Sequence, residues 1–313
     1  MKERRRVDGV LLLDKPTGIT SNAALMRVKR LYAADKAGHT GTLDPLASGL
    51  LPICFGGATR FAQFLLDAPK RYVATLRFGA TTTTQDAEGD VVATRDVEFA
   101  REALEAMLAR FVGVQMQTPP AHSALKFEGR PRYDYARRGI DVPSVPREVV
   151  VHALRLLDWH SPDATIDVAC GKGTYVRALA ADIGEALGCG AHLVALRRTQ
   201  SGPFDIGRAV TLDALERDDE AARLARLLPI DTPVTRIPRL DVDHEVARLL
   251  AHGQKPRIAA APGRYRIYAP GERFVGLADV DAQHLIPLRL VAQDADRREA
   301  AGTSGAARAD RVA

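Results

Sequence analysis

The chain has 313 residues, 46% of them hydrophobic, with a net charge of +5 and a sequence pI near 9.2. That length suits two domains better than one, the apolar content is ordinary for a globular protein, and the mild cationic excess favours a polyanionic partner. No apolar run approaches the length of a membrane span, which excludes a helical membrane protein. Cys54, Cys170 and Cys189 lie far apart with no C-x-x-C among them, which points to reduced thiols in a cytoplasm. The basic start resembles the head of a signal peptide, but the apolar run behind it, Val10 to Leu13, is short and stops at Asp14-Lys15-Pro16. A cytoplasmic protein is expected.

Val10 to Leu13 reads as a short buried strand, followed by a turn at Lys15-Pro16-Thr17-Gly18. Thr20 or Ser21 can cap a helix whose apolar face is Leu25, Val28 and Leu31. Next comes Gly38-His39-Thr40-Gly41-Thr42-Leu43-Asp44-Pro45-Leu46-Ala47-Ser48-Gly49. Its glycines and proline exclude helix and interrupt any strand, so a loop is predicted. Pro45 fixes its own φ and biases Asp44 toward extended backbone, which limits where the carboxylate can point. Asp44 is then either a positioned functional acid or the start of an Asp-Pro turn. His39 has no metal partner and no neighbouring nucleophile, and by itself reads as a loop histidine.

Leu50 to Cys54 predicts a strand and Thr59 to Leu66 a short helix. Tyr72 to Phe78 alternates, with Tyr72, Ala74, Leu76 and Phe78 on one face, as in a half-buried strand. Tyr72 is either a core tyrosine or a platform for a stacked base, an interaction worth ~1–3 kcal/mol. Gln85 to Asp90 forms a polar turn leading to Val91-Val92, a predicted hairpin. Phe99 to Val112 is an amphipathic helix, with Leu104, Leu108 and Phe111 in line and Gly113 just past its end. The proline-rich stretch Thr118 to Arg147 holds six basic residues (Lys126, Arg130, Arg132, Arg137, Arg138, Arg147) against three acids (Glu128, Asp134, Asp141). It predicts an ordered, projecting loop, either a solvated surface segment or a grip for nucleic acid.

Glu148 to Leu157 and Thr165 to Cys170 return to strand, and Thr174 is expected to cap a helix with Val176, Leu179, Ile183 and Leu187 on one face. Arg177 then falls in the first helical turn, where a cation opposes the helix dipole by a few tenths to ~1 kcal/mol. An anion docked there removes the penalty, whether a substrate phosphate or a protein carboxylate; the alternative is a solvated surface arginine. Strands and helices mix without βαβ regularity, which favours an α+β fold with a mixed, largely antiparallel sheet. Ile230 to Pro238 is a proline-punctuated junction. A helix over His244 to His252 and strand-like runs at Tyr265–Tyr268, Phe274–Ala278 and Leu285–Val291 follow, suggesting a small β-barrel. Residues 293–313 carry no apolar pattern and predict a disordered tail. His244-Glu245 lacks the second histidine of a zinc-protease helix, having Arg248 there, and Gly171-Lys172-Gly173-Thr174 lacks a P-loop. Nothing in the sequence calls for a cofactor or a metal.

The run Gly38 to Pro52 closely resembles the signature loop of the TruB family, bacterial tRNA pseudouridine-55 synthases. Further family landmarks follow in order: Leu13 to Gly18, Lys70-Arg71-Tyr72, Pro119 to Lys126, Gly173-Thr174-Tyr175-Val176-Arg177 and Gly190 to Leu193. The resemblance covers residues 10 to about 200 and continues more loosely to about 292. It implies a catalytic domain over 1–232, with 118–147 as a basic RNA-binding loop, and a PUA-like RNA-binding domain over 233–292. It implies isomerisation of uridine to pseudouridine in the T loop of tRNA, by base flipping, with Asp44 as the essential catalytic residue and Arg177 as its partner. Tyr72 inherits the stacking role, Tyr175 and Leu196 line the base pocket, and His39 wedges into the RNA. Lys15 is implied as a pocket or phosphate contact, and Asp86 as a structural anchor. Lys126, Arg130, Arg132, Arg137 and Arg138 become the phosphate grip. The partner is a tRNA T stem-loop, met by a monomer with no metal.

The isomerisation breaks N1–C1′, turns the ring and joins C5 to C1′, with no redox step. Attack by Asp44 at C1′, attack at C6 and removal of a sugar proton are all compatible with the sequence. A non-catalytic tRNA-folding protein would use the same grips but would leave Asp44 dispensable. An aspartate-nucleophile glycoside hydrolase would need a second facing carboxylate.

Overall fold

The computed structural model describes residues 4–123 and 125–291, so the tail over 293–313 lies outside the described residues. One mixed sheet of ten strands organises the chain up to about residue 211. Its main path runs Val210–Thr211, Gly9–Lys15, Ala47–Phe55, Ala191–Ser201, Lys70–Phe78, Asp163–Cys170, Arg147–His160, Gly113–Gln117, with Ala37–His39 and Phe204–Asp205 paired alongside. The main path pairs in parallel only at Gly9–Lys15 with Val210–Thr211 and at Ala47–Phe55 with Ala191–Ser201; its other pairs are antiparallel. The α+β expectation with a largely antiparallel sheet therefore holds.

Val10 to Leu13 is apolar without alternation because both faces of its strand are covered. Leu11 and Leu13 join the main core, whereas Val10 and Leu12 face a second cluster with Leu50, Cys54, Leu65 and Phe204. On the main-core face lie the helices Ser21–Leu31, Arg101–Arg110 and Val176–Ala186, which bury Ala24, Leu25, Val28, Leu104, Leu108, Leu179 and Ile183 against Tyr72, Ala74, Leu76 and Phe78. Thr20 caps the first of these helices by accepting from the Ala23 amide at 3.0 Å. The third begins later than predicted. Tyr175 is its N-cap residue, and the Thr174 hydroxyl instead donates backwards to the Gly171 carbonyl at 3.1 Å. Gly184 lets this helix pass close to the sheet, since a Cβ there would stand 2.2 Å from the Ala191 amide nitrogen.

Beyond the junction, Arg239–Asp241, Gly263–Ala269, Arg273–Asp281 and His284–Leu290 form a second, four-stranded sheet, backed by the helix His244–Ala251. Among the described residues no pairing joins its outer strands, so this sheet is open where a barrel was expected. Phe61, Val234 and Leu277 form a small buried cluster between the two sheets. All three cysteines are free and buried, and among the described residues no helix is long and apolar enough to cross a membrane.

Candidate active site

The glycine-rich segment is more ordered at its ends than its composition suggests. Gly38 lies in the strand Ala37–His39 and Gly49 in Ala47–Phe55, leaving Thr40 to Leu46 as the loop proper. Ser21, freed from capping, accepts from the Leu43 amide at 2.7 Å and donates to the Leu43 carbonyl at 2.9 Å. The Gly18 amide donates to the Pro45 carbonyl at 2.8 Å, and the Thr40 amide to the Pro52 carbonyl at 3.0 Å. The backbone on both sides of Asp44 is thereby fixed, and the Asp44 side chain remains 39% exposed.

Arg177 reaches that carboxylate from the first turn of Val176–Ala186. Its Nε stands 3.0 Å from Asp44 Oδ2, and its own side chain is only 6% exposed. Nη1 donates to the Thr84 carbonyl at 3.0 Å and lies 3.4 Å from Asp86 Oδ2, while Nη2 donates to the His122 carbonyl at 2.9 Å. Buried charges need such full pairing, and the planar guanidinium supplies donors in several directions. Asp86 is itself buried, its Oδ1 accepting from the Thr84 hydroxyl and the Glu88 amide. Two carboxylates thus flank one arginine, one closed off and one open to the surface.

The open carboxylate borders two clefts. The first, of about 290 Å³, is lined by Asp44, Tyr72, Tyr175, Arg177, Leu196 and Arg198, among others. Tyr72 is mostly buried in the main core with its surface turned to the cleft, and burial pushes its phenol upward. Leu196 stands in the central strand, in register with Ala47 on one side and Ala74 on the other. The second cleft, of about 560 Å³, shares Asp44 and Arg177 and adds His39, Glu88, His122, Tyr133 and Arg137. Burial, then the Arg198 charge, push the His39 imidazole below its ordinary value. Burial, then Asp86 and Asp44, push the Glu88 carboxyl upward.

Two expected site residues stand elsewhere. Lys15 is fully buried, its ammonium donating to the Pro16 and Ile19 carbonyls at 2.8 and 2.7 Å. Burial lowers it to about 8, partly offset by Asp44. Arg132 is turned into its own arm, donating to the Pro143 and Val142 carbonyls at 2.7 and 2.9 Å, whereas Lys126, Arg130, Arg137 and Arg138 are exposed. The arm carries a short hairpin, Lys126–Phe127 with Arg130–Pro131, and the helical turn Arg132–Ala136.

Sequence reasoning missed Arg198 and Lys70. Arg198, 1% exposed, donates from Nε to the Leu50 carbonyl at 2.6 Å and from Nη2 to the Gly41 carbonyl at 3.1 Å. Its backbone passes so near Gly49 (φ +103°) that a Cβ there would sit 2.4 Å from the Arg198 carbonyl oxygen. The signal available was a glycine-dense loop, which implies a close backbone neighbour but does not name it. Lys70 donates to the Leu65, Leu66 and Ala68 carbonyls at 3.0, 2.6 and 2.7 Å, closing the end of the helix Ala62–Asp67.

Comparison with known proteins agrees with this geometry. Residues 29–176 match the sequence model of the TruB family pseudouridylate synthase N-terminal domain. Residues 177–235 match the tRNA pseudouridylate synthase B C-terminal domain, and 238–291 the pseudouridine synthase II TruB C-terminal domain. The tRNA pseudouridine synthase B of Burkholderia mallei is 54% identical over 296 residues, covering 92% of this chain and 98% of that one. The tRNA pseudouridine synthase B of Chromobacterium violaceum is 52% identical over 298 residues, covering 93% and 97%. Among solved structures, an H/ACA RNP bound to a substrate RNA containing 2′-deoxyuridine superimposes with a TM-score of 0.69 at 25% identity, covering 91% of this chain and 85% of that one. The archaeal box H/ACA sRNP Nop10-Cbf5 complex gives 0.68 at 26% identity, covering 91% and 87%. A carboxylate held against a buried arginine beside a tyrosine-walled cleft, and near full-length identity above half with named synthases, lead to one conclusion: this chain belongs to the TruB family of pseudouridylate synthases.

Proposed function

We propose that this chain isomerises uridine to pseudouridine at position 55 in the T loop of tRNA, with Asp44 as the essential carboxylate. The observation that carries the reading is the Asp44–Arg177 pair, 3.0 Å apart, at the mouth of the cleft walled by Tyr72, Tyr175 and Leu196. The volume lies near the lower end of small-molecule pockets, ~300–1,000 Å³, and suits a single flipped nucleoside. Tyr72 stacks on the extruded uracil, Tyr175 and Leu196 confine the detached ring, and Arg177 orients Asp44 toward the glycosidic bond. His39, on the second cleft, faces the RNA from which the uridine is drawn. Lys15 acts through the loop it supports.

The recognition surface combines the exposed cations of the arm with the open C-terminal sheet. Residues 1–232 serve as the catalytic domain and 233–292 as the RNA-binding domain. In this reading the enzyme works as a monomer, in the cytoplasm where tRNA is modified.

The test is tritium release from [5-³H]uridine-labelled tRNA transcripts. Wild type should release tritium. Asp44→Asn should bind the transcript within about threefold of wild type while losing turnover by roughly 10³-fold or more. Pseudouridine formation by Asp44→Asn at near wild-type rate would overturn the assignment of Asp44, and an inactive wild type would overturn the reaction.

A further inference from the structure

The helix that presents Arg177 has no side-chain cap of its own: the flanking Tyr175 supplies none, and Thr174 is engaged behind it. Its entrance is held instead from another element. Gln117, the last residue of the edge strand Gly113–Gln117, is buried, and its carboxamide meets both polar backbone atoms of Tyr175. Oε1 accepts from the Tyr175 amide at 2.8 Å, and Nε2 donates to the Tyr175 carbonyl at 3.1 Å. That carbonyl also accepts the first helical bond, from the Leu179 amide at 3.0 Å, so the amide group fixes the residue on which the helix starts.

We propose that Gln117 is a positioning residue for the isomerisation, setting the first turn of Val176–Ala186 so that Arg177 meets Asp44. The side chain mimics one rung of a β-ladder, a two-point contact that fixes orientation as well as distance. Its location adds a consequence. The basic arm begins at the next residue, and the His122 carbonyl within that arm accepts from Arg177 at 2.9 Å. Arm root and catalytic pair are therefore linked directly through the His122 carbonyl and indirectly through Gln117 and Tyr175, and a displacement of the root is felt at Arg177. Displacements of about 1 Å in a catalytic constellation cost up to ~10²-fold in rate.

The inference rests on the proposed reaction, and its test separates the two. Gln117→Met removes both bonds at nearly constant volume; Gln117→Glu keeps an acceptor for the Tyr175 amide and loses the donor. Single-turnover rates at saturating tRNA should fall about 10–100-fold in Gln117→Met and by less in Gln117→Glu, with tRNA affinity within about threefold of wild type. In an Arg177→Lys background, Gln117→Met should cost less than about threefold further, because both changes act on one contact. Equal costs in the two backgrounds, or wild-type rates in both single variants, would overturn the proposal. Hydrogen exchange gives a readout independent of activity. The amides of Tyr175 and Leu179, whose bonds depend on Gln117 directly or through the Tyr175 carbonyl, should exchange faster in Gln117→Met while those of the Ser21–Leu31 helix do not. Unchanged exchange at Tyr175 and Leu179 would overturn the proposal even if wild type formed no pseudouridine.

Discussion

Arg177 is held so fully that its replacement by another cation is not conservative. A lysine in its place would keep a charge near Asp44 but lose the fork that meets Asp44, the Thr84 carbonyl and the His122 carbonyl together. Arg177→Lys should therefore lower kcat by about 100-fold with tRNA affinity nearly unchanged, measured by single-turnover assay and filter binding. Lys15 gives a test by pH. Burial lowers its folded value to about 8 from 10.5, so between these values the unfolded chain holds a proton that the folded chain has released. Stability contributed at this position then rises with pH across that window. Relative to Lys15→Met, wild type should gain on the order of 1–3 kcal/mol between about pH 7.5 and 10.5 in urea melts. A constant difference would remove the effect. At this scale the residues alone left two uses open for Asp44 and for Arg177, and the structure brings the two into contact as the family resemblance implied. The sequence did not reveal the burial of Lys15 and Arg132, because a buried cation that satisfies backbone carbonyls looks in sequence like any surface cation.

At the scale of elements, the arm separates two uses of arginine. Arg130, Arg137 and Arg138 are exposed, whereas Arg132 closes the arm on itself through the Val142 and Pro143 carbonyls. Replacing the three exposed arginines by alanine should weaken tRNA binding and flatten the dependence of log affinity on log salt, by ~0.7–0.9 for each phosphate no longer neutralised. Arg132→Ala should instead raise protease sensitivity within 118–147 and leave that slope near wild type. An unchanged slope in the triple variant would place the phosphate-binding surface elsewhere. Most elements followed from their patterns, because a helix stripe or an alternating strand with one covered face writes its period into the sequence. The strand Ala191–Ser201 did not, although it is central. Register shifts at Leu193/Ala195 and Arg198/Gln200 break its alternation, and the buried Arg198 interrupts its apolar face.

At the scale of the whole molecule, the two sheets meet through aromatic packing. Phe61 is fully buried, its ring 5.3 Å from that of Phe274 in the C-terminal sheet. Phe61→Ala should cost ~3–5 kcal/mol. Calorimetry should then resolve two transitions where wild type shows one; a single transition at the wild-type temperature would show that this packing does not couple the sheets. The open C-terminal sheet was not legible because strand runs announce pairing but not closure. The order of strands in the large sheet also reaches beyond the finished enzyme. Ala191–Ser201 is inserted between Ala47–Phe55 and Lys70–Phe78, which do not pair with each other. A chain still emerging from the ribosome therefore carries two half-sheets with facing vacant edges until residue 201 is free. The cleft beside Asp44 has no wall at Leu196 until then, so the protein completes this site late in its own synthesis, and nascent chains short of that strand are the form in which it is most exposed to mispairing.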